Sequence, residues 1–243
     1  MRKILGYLFS PLHYLAFGLV LVVFEVLQRI ALAIGGYKWH KATVDVMNFC
    51  LTKTLLFNGI RCRWINKQHL PTDRPLLVVS NHQSLYDIPP FFWYLRRHHM
   101  KFVSKIELAR GIPSVSYNLR HGGSVLIDRK DPRQAIPALK AFGEYIEKNC
   151  YAACIFPEGT RSRDGKPKRF AAQGLKTLLK YTPSALVVPV TVNQVWRVNQ
   201  YGNFPLSFGE SPTWTVHAPI DPRGRNVDEV IAETEATIIA AIV

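Results

Sequence analysis

A long apolar stretch near the amino end sets the first limit on how this chain folds. It runs from Leu12 to Ile34 and approaches the ~20 residues that a helix needs to cross a bilayer. Glu25, Gln28 and Arg29 interrupt its second half. Because Glu25 and Arg29 are four residues apart, on a helix they can form an ion pair that lessens the cost of burying them. The stretch therefore favours a membrane helix, which either spans the bilayer or lies partly in one leaflet.

Two other interpretations of this stretch stay open. One is a secretory signal peptide, because two basic residues precede the apolar core and Ala31-Leu32-Ala33 resembles a cleavage site. The other is the core helix of a soluble domain. Residues 41–58 carry apolar side chains at helical spacing and predict a second, amphipathic helix, of the kind that lies on a membrane surface. Residues 1–58 are thus predicted to form an N-terminal hydrophobic and amphipathic helical membrane anchor.

From residue 59 onward, short apolar or alternating runs are separated by helical patterns. Seven runs have the length of a strand, and they begin near residues 60, 75, 101, 123, 152, 185 and 213. Residues 132–148 predict a helix that Asp131 caps and Pro132 opens, and residues 227–242 predict another. This order predicts an α/β domain over residues 59–243, with a mixed β-sheet flanked by helices.

The chain is strongly basic, with 31 Lys and Arg against 17 Asp and Glu and a formal net charge of +14. Such a surface attracts phosphates, whether in nucleic acid, in lipid or in a soluble metabolite. Nucleic acid is the least favoured partner, because the aromatic residues are concentrated in apolar runs and no base-stacking motif is present. The four cysteines lack the paired spacing of a zinc site and are too few for a disulfide scaffold, so we expect them to be reduced and predict no metal site.

The segment Ser80–Asp87, SNHQSLYD, leaves the carboxyl end of a predicted strand, where ligand sites of α/β sheets often lie. A histidine can take a proton from an alcohol, and a carboxylate on its other ring nitrogen fixes the tautomer. His82 and Asp87 supply these two groups. On a regular helix they would lie ~140° apart, so their contact requires a loop or a helix entry. The alternative is that Asn81 and Asp87 only cap a turn.

Two further segments bring charge to predicted strand ends. Phe156–Ser162, FPEGTRS, directly follows an apolar run and so places Glu158, Gly159 and Arg161 at a strand end. Glycine permits close backbone approach, and a guanidinium can hold a phosphate with two hydrogen bonds. GGSVLIDR, residues 122–129, delivers Arg129 in the same way, although this arginine could equally pair with Asp128 at the surface. The basic run RSRDGKPKR, residues 161–169, is expected to be a solvated loop.

Order and spacing make these segments resemble the motifs of the glycerolipid acyltransferase family. The family's N-H-x4-D motif matches Asn81, His82 and Asp87, and its F-P-E-G-T-R-S motif matches Phe156–Ser162 without change. Four motifs in order are specific for the family, and far less specific for the lipid that accepts the acyl group.

The second and fourth motifs resemble the family pattern less closely. LIDR has Leu126 where an aromatic residue is common, and the apolar V-P-V of residues 188–190 matches the fourth motif. The resemblance covers residues 75–191, and the N-terminal hydrophobic helices are of the kind that many bacterial members carry.

The resemblance implies that a fatty acyl group moves from acyl-CoA or acyl carrier protein to the sn-2 hydroxyl of 1-acyl-glycerol-3-phosphate, forming phosphatidate. His82 is then the general base, and Asp87 orients it. Asn81 and Pro189 support the motifs. The residues that the resemblance assigns to the substrate phosphate are Glu158, Gly159, Thr160, Arg161, Arg129 and Lys105.

The same resemblance implies a membrane-associated enzyme with its active site on the cytoplasmic side. Its partners are a lysophospholipid acceptor, the acyl donor and the membrane, and neither a cofactor nor a metal is expected. Three alternatives stay open: transfer to glycerol 3-phosphate or another lysolipid, a lipid esterase that uses Ser84 or His82, and a non-catalytic protein that binds anionic membranes. An esterase releases product without an acceptor, although no G-x-S-x-G elbow is present. In a binding protein, His82 is dispensable.

Overall fold

The computed structural model describes residues 1–243 and contains one seven-stranded sheet. The strands are β1 Arg63–Asn66, β2 Leu76–Ser80, β3 Lys101–Lys105, β4 Val125–Ile127, β5 Ala152–Ile155, β6 Leu186–Asn193 and β7 Thr213–Val216. They lie in the order β1-β7-β6-β2-β5-β3-β4. Neighbours run parallel except for β6 and β7, which are antiparallel, so the sheet is mixed. Each of the seven predicted runs overlaps one of these strands.

Six α-helices accompany the sheet: α1 Arg2–Thr54, α2 Ile88–Tyr94, α3 Val115–His121, α4 Pro132–Asn149, α5 Ala172–Tyr181 and α6 Val227–Ala240. The predicted cap of α4 is present, because the Asp131 side chain accepts a hydrogen bond from the Arg133 backbone N–H at 2.9 Å. All four cysteines are free.

Side chains of the central strands alternate between two apolar clusters, one on each face of the sheet. In β2, Leu76 and Val78 pack with residues of α1 and α2, whereas Leu77 and Val79 pack with residues of α4, α5 and α6. Every residue of β2 is buried, as expected of a parallel strand that helices cover on both faces. The predicted fold class, a mixed sheet flanked by helices, is confirmed.

The long helix α1 reverses its direction at Gly36. This glycine has φ +61° and ψ −156°, a conformation that costs glycine little because it has no Cβ. On either side of it, His40 Nε2 lies 3.1 Å from Gln28 Oε1, and His13 Nδ1 lies 3.0 Å from the Thr54 carbonyl. The two halves, residues 2–35 and 37–54, therefore form an antiparallel hairpin. The predicted second helix corresponds to the second half and the 3-10 turn Leu55–Asn58 that follows it.

The first half of α1 exposes a large apolar surface. It contains an 18-residue window with a mean hydropathy of 2.1, long and apolar enough to cross a membrane, and only 11% of that window is buried. Leu15, Leu19 and Ile34 are each more than 60% exposed. A core helix of a soluble domain would be mostly buried, so that interpretation does not fit this helix.

The polar residues that interrupt the apolar stretch dock the connection before α3. Glu25 Oε2 accepts the Ser114 backbone N–H at 2.6 Å, and Glu25 Oε1 accepts Arg29 Nε–H at 2.9 Å. The Ser114 hydroxyl donates to the Leu21 carbonyl at 2.6 Å, and Gln28 Nε2 donates to the Ser114 carbonyl at 3.4 Å. The predicted pair of Glu25 and Arg29 is therefore present, and it holds another part of the chain in place.

The second half of α1 belongs to the core of the domain. Val44, Met47 and Leu51 are buried in the same cluster as the Leu76 and Val78 side chains of β2, and so is Leu55 in the turn that follows. The predicted boundary at residue 58 was drawn between a membrane anchor and a catalytic domain. The hydrophobic core, however, includes residues from both sides of it.

We expect Glu25→Ala to loosen the chain around Ser114, because the Ser114 N–H loses its acceptor. Loss of such a hydrogen bond costs about 1–3 kcal/mol, which corresponds to about 5- to 150-fold faster amide exchange if local opening controls it. Hydrogen exchange over residues 112–118 measures this change. Glu229→Ala, which removes an exposed carboxylate on α6, is the control, and equal exchange in the two variants would contradict the docking role.

Candidate active site

The predicted site segments meet at one edge of the sheet. β2, β5, β3 and β4 are consecutive and parallel, so their carboxyl ends lie side by side. His82 follows β2 and Glu158 follows β5, whereas Lys105 ends β3 and Arg129 follows β4. Because neighbouring strands are about 4.7–4.9 Å apart, the ends of β5, β3 and β4 lie within about 15 Å of the end of β2, so this edge brings Lys105, Arg129 and the FPEGTRS segment near the histidine.

His82 and Asp87 are in direct contact. His82 Nδ1 lies 2.7 Å from Asp87 Oδ2, which also accepts the backbone N–H groups of Gln83 at 2.6 Å and Ser84 at 2.9 Å. Asp87 is fully buried, whereas the His82 side chain is 15% exposed. Because a carboxylate can only accept, this contact places the proton of a neutral imidazole on Nδ1, and Nε2 then keeps a lone pair for a hydroxyl group.

A helix entry makes this contact possible, as the spacing required. Ser84 is extended and caps the 3-10 turn Leu85–Asp87, after which α2 begins at Ile88. The chain thus bends back between the two residues, and the carboxylate reaches the imidazole. The indole N–H of Trp214, in β7, donates to the Asp87 carbonyl at 3.1 Å and so fixes the start of α2.

Two hydrogen bonds from the FPEGTRS segment hold the backbone of His82. The His82 N–H donates to Glu158 Oε1 at 2.8 Å, and the His82 carbonyl accepts the Ser162 N–H at 2.7 Å. Glu158 Oε2 accepts the Lys168 N–H at 3.0 Å. Burial raises the pKa of Glu158, and its backbone hydrogen bonds oppose that rise. Each carboxylate oxygen thus accepts a backbone N–H group, and Glu158 holds the loop between the two motifs in place.

Aromatic packing fixes the imidazole ring. The Phe156 ring stacks on His82 with centroids 4.2 Å apart and planes 18° apart. Phe156 is buried and belongs to the core cluster that includes α2. The ring orientation of His82 is therefore set by the core as well as by Asp87.

Amide side chains join the same segment to β6 and to the turn after it. Asn81 donates to the Val192 carbonyl at 2.8 Å and accepts the Val192 N–H at 2.7 Å, as a paired backbone residue would. Gln83 Oε1 accepts the Val195 N–H at 2.9 Å. Pro189 lies lower in β6, in register with Val79, so the fourth motif supports the strand beside β2.

Basic side chains lie along the rest of this edge. Arg129 donates to the Gly159 carbonyl, and Gly159 has φ +70°. Burial lowers the pKa of Arg129, and the nearby Glu107 carboxylate raises it. Arg161 and Lys105 are exposed, and their side chains make no hydrogen bond within the chain. The structure therefore brings the sequence-predicted residues to one edge and leaves two cations there free for an anion.

Lys168 also belongs to this edge, although the sequence indicated only a solvated loop. Its ammonium donates to Thr160 Oγ1 at 2.8 Å and to the Arg161 carbonyl at 3.1 Å. The turn that returns the chain contains Asp164 and Gly165, and Gly165 has φ +81°. An Asp-Gly pair is a turn signal, and it could have predicted that the basic run folds back on the motif.

A second contact that the sequence did not indicate connects the site to α1. His13 is fully buried, and its Nδ1 must donate to the Thr54 carbonyl. Its Nε2 therefore accepts the Tyr86 hydroxyl, at 2.9 Å. Tyr86 immediately precedes Asp87, so the apolar hairpin supports the segment that carries the carboxylate. A histidine inside an apolar stretch was the available signal.

Known sequences match this chain across the same region. The family model described as Acyltransferase matches residues 61–193, more than half of the chain. A chloroplast 1-acyl-sn-glycerol-3-phosphate acyltransferase of Arabidopsis thaliana is 31% identical over 172 residues, 70% of this chain and 46% of the relative. A 1-acyl-sn-glycerol-3-phosphate acyltransferase of Helicobacter pylori is 36% identical over 124 residues, 48% of this chain and 50% of the relative. The chain thus spans about half the length of these curated relatives.

A solved structure has the same fold. The crystal structure of the 1-acyl-sn-glycerophosphate acyltransferase from Thermotoga maritima matches with a TM-score of 0.80 at 24% identity, over 99% of this chain and 95% of that one. The match includes the N-terminal hairpin because it covers nearly the whole chain.

We expect Asn81→Ala to destabilise the protein, because it leaves the buried N–H and carbonyl of Val192 without partners. Each unsatisfied group costs about 1–3 kcal/mol, so the free energy of unfolding should fall by about 2 kcal/mol or more. Denaturant unfolding in detergent measures it. Asn149→Ala, which removes an exposed amide hydrogen bond, should change the value by less than about 0.5 kcal/mol. Similar losses in the two variants would show that Asn81 does not join the strands.

Proposed function

The chain belongs to the acyltransferase family, and from this premise we propose that it transfers a fatty acyl group from acyl-CoA or acyl carrier protein to the sn-2 hydroxyl of 1-acyl-glycerol-3-phosphate. The observation that carries the proposal is the 2.7 Å contact between His82 and Asp87 at a sheet edge that also carries basic side chains. A base and an anion site on one edge suit an acceptor that has both a hydroxyl and a phosphate. The names of the relatives support this choice of acceptor.

In the proposed reaction, His82 Nε2 takes the proton from the acceptor hydroxyl as its oxygen attacks the thioester carbonyl. An ester C–O bond forms, the C–S bond breaks, and the proton passes from the imidazolium to the departing thiolate. Asp87 holds the tautomer and stabilises the imidazolium. Positioned proton transfer of this kind contributes typically ~10²–10⁴-fold. No acyl-enzyme is formed, and the products are phosphatidate and the free thiol of the donor.

The contacts of Ser84 favour this transferase mechanism over an esterase with a serine nucleophile. The Ser84 hydroxyl donates to Asn199 Oδ1 at 2.7 Å and caps the turn by accepting the Tyr86 N–H. A serine nucleophile donates its proton to the base instead. The ring nitrogen of His82 that could accept it is left for an external hydroxyl.

The phosphate of the acceptor is proposed to bind beside His82, toward β3 and β4. Arg161 can offer a bidentate guanidinium and Lys105 a point charge, while Arg129 and Lys168 hold the loop of Gly159 and Thr160. Glu158 positions that loop through the two backbone N–H groups it accepts.

We further propose that residues 1–58 attach the protein to a membrane and that residues 59–243 carry the catalysis, on the cytoplasmic side. The exposed apolar surface of the first half of α1 supports attachment. Membrane attachment also places the site near a lysophospholipid, which resides in the bilayer. The proposed function requires neither a metal nor a cofactor.

A radiolabelled acyl donor tested against a panel of acceptors examines this proposal. We expect label in phosphatidate when 1-acyl-glycerol-3-phosphate is supplied, and much less product from glycerol 3-phosphate or lysolipids without a terminal phosphate. Release of labelled fatty acid at the same rate without any acceptor would support the esterase instead. Product from glycerol 3-phosphate alone would move the assignment to that acceptor.

His82→Ala should lower the rate of acyl transfer by about 100-fold or more while vesicle binding and the folded state persist, because it removes the base. Asp87→Asn should retain slightly more activity, since part of the geometry survives. The control is His69→Ala, which removes an exposed histidine outside the site. Near-normal turnover by a folded His82→Ala protein would show that His82 is not the base.

Arg161→Lys should lose activity although it keeps the charge, because lysine cannot form two parallel hydrogen bonds to a phosphate. A lost charged hydrogen bond is worth ~1.5–3 kcal/mol, or roughly 10- to 150-fold in kcat/KM. The exposed Arg163→Lys is the matched control. An acceptor without the phosphate should be almost insensitive to Arg161→Lys, and an equal proportional loss on both acceptors would assign Arg161 to the fold or to the donor site.

A further inference from the structure

The connection between β3 and α3 leaves three large apolar side chains more than one-third exposed. Residues 106–112, which we call the β3–α3 segment, include Ile106 at 41% exposure, Leu108 at 37% and Ile112 at 36%. None of the three belongs to either core cluster. In a seven-residue segment this density of exposed aliphatic side chains is typical of a contact surface.

The two ends of the segment lie at two places already described. It begins after Lys105, at the sheet edge that holds His82. The Glu107 carboxylate, within the segment, lies close enough to Arg129 to raise the pKa of its guanidinium. It ends before Ser114, whose N–H and hydroxyl bind Glu25 and the Leu21 carbonyl. The segment therefore leads from the candidate active site to α1.

The segment ends beside α1. Ile112 is only two residues from Ser114, which binds Glu25 and the Leu21 carbonyl. Val22 and Val26 follow these two residues of α1, about 100° further around the helix, and they are 58% and 55% exposed. Ile30 continues this exposed row at 50%. The segment and this part of α1 therefore both expose aliphatic side chains within a few residues of the contact at Ser114.

Arginines lie in and near both apolar regions. Arg110 lies within the segment and Arg120 is in the last turn of α3, and both are exposed and form no ion pair. Arg29 stands over the Tyr117 ring at 4.6 Å, with more than half of its side chain exposed. Aliphatic side chains bordered by arginines suit the boundary between lipid headgroups and acyl chains, where anionic phosphates meet hydrocarbon.

We propose that the β3–α3 segment is a second membrane-contacting surface, whose partner is a bilayer that contains anionic lipid. This inference rests on the proposed function, since it assumes that α1 meets the same bilayer. Contact at both places sets the catalytic edge against the headgroup layer. A lysophospholipid then reaches His82 along the segment, with its acyl chain still in the bilayer.

Tryptophan placed in the segment tests this contact directly. Leu108→Trp in the full chain, bound to vesicles of phosphatidylcholine and phosphatidylglycerol with brominated acyl chains, should add emission that is blue-shifted and quenched. Ile112→Trp provides a second reporter if the first variant folds poorly. Ile136→Trp is the matched control, because Ile136 is 44% exposed on α4, across the sheet from the hairpin. Its added emission should be unquenched.

Leu19→Trp on α1 separates failure of this inference from failure of membrane attachment itself. Quenching at residue 19 without quenching at residues 108 and 112 overturns the inference and leaves the proposed attachment of α1 intact. Absence of quenching at all three positions contradicts both.

A kinetic comparison distinguishes the bilayer from a protein partner. Leu108→Ser should lower kcat/KM by about 3- to 10-fold for an acceptor presented in vesicles, because it removes apolar contact with lipid. It should leave a short-chain, water-soluble acceptor unaffected, and Ile136→Ser should alter neither. An effect confined to acyl carrier protein as donor, with no quenching at residue 108, would show that the segment binds the carrier protein and would overturn the proposal.

Discussion

Two hydrogen bonds to the backbone of one residue organise the candidate active site. The N–H of His82 is bound by the Glu158 carboxylate, and its carbonyl is bound by the Ser162 N–H, so the segments after β2 and β5 are locked together. The parallel pairing of Val79 with Ile155 brings these two segments side by side. Given this lock, the rest follows from local geometry: the turn that Ser84 caps returns Asp87 to the imidazole, and Phe156, which opens the FPEGTRS segment, stacks on the ring. The FPEGTRS segment therefore positions the histidine, in addition to its proposed role at the phosphate.

The apolar hairpin is part of this arrangement as well as a candidate membrane anchor. Buried His13 hydrogen-bonds both the Thr54 carbonyl and the Tyr86 hydroxyl, and so connects the hairpin to the residue before Asp87. Further along α1, Glu25 and the Leu21 carbonyl hold Ser114 and so fix the way the chain enters α3. The same helix thus presents an apolar surface outward and polar contacts inward. This dual use explains why charged and amide residues persist in a stretch that is otherwise apolar, and it ties the position of the catalytic edge to the position of the proposed membrane surface.

Many of the secondary-structure elements and the main pair of site residues could be predicted from the sequence, because local patterns determine them. The seven strands follow from short apolar runs, α4 from Asp131 and Pro132, and the pairing of His82 with Asp87 from their spacing and the need for a helix entry. The strand order could not be predicted, because it depends on contacts between distant runs, and so the neighbours of His82 were open. The roles of Glu158 and Lys168 were hidden for the same reason: a carboxylate in a motif suggests chemistry, yet here it binds two backbone N–H groups. The reversal at Gly36 was also missed, since the first of two adjacent glycines remains helical and only the second departs.

The proposed mechanism requires that His82 is held with its proton on Nδ1, toward Asp87, and with Nε2 free to act as the base. Nitrogen-15 NMR of the imidazole in the full-length protein in detergent measures this tautomer directly, without any assumption about the substrate. In neutral imidazole we expect a protonated Nδ1 that is coupled to its hydrogen and an unprotonated Nε2. In Asp87→Ala, the preference for this tautomer should weaken. A neutral imidazole protonated on Nε2 in the wild-type protein would rule out the mechanism, because the nitrogen offered to the acceptor hydroxyl would then have no lone pair to take its proton.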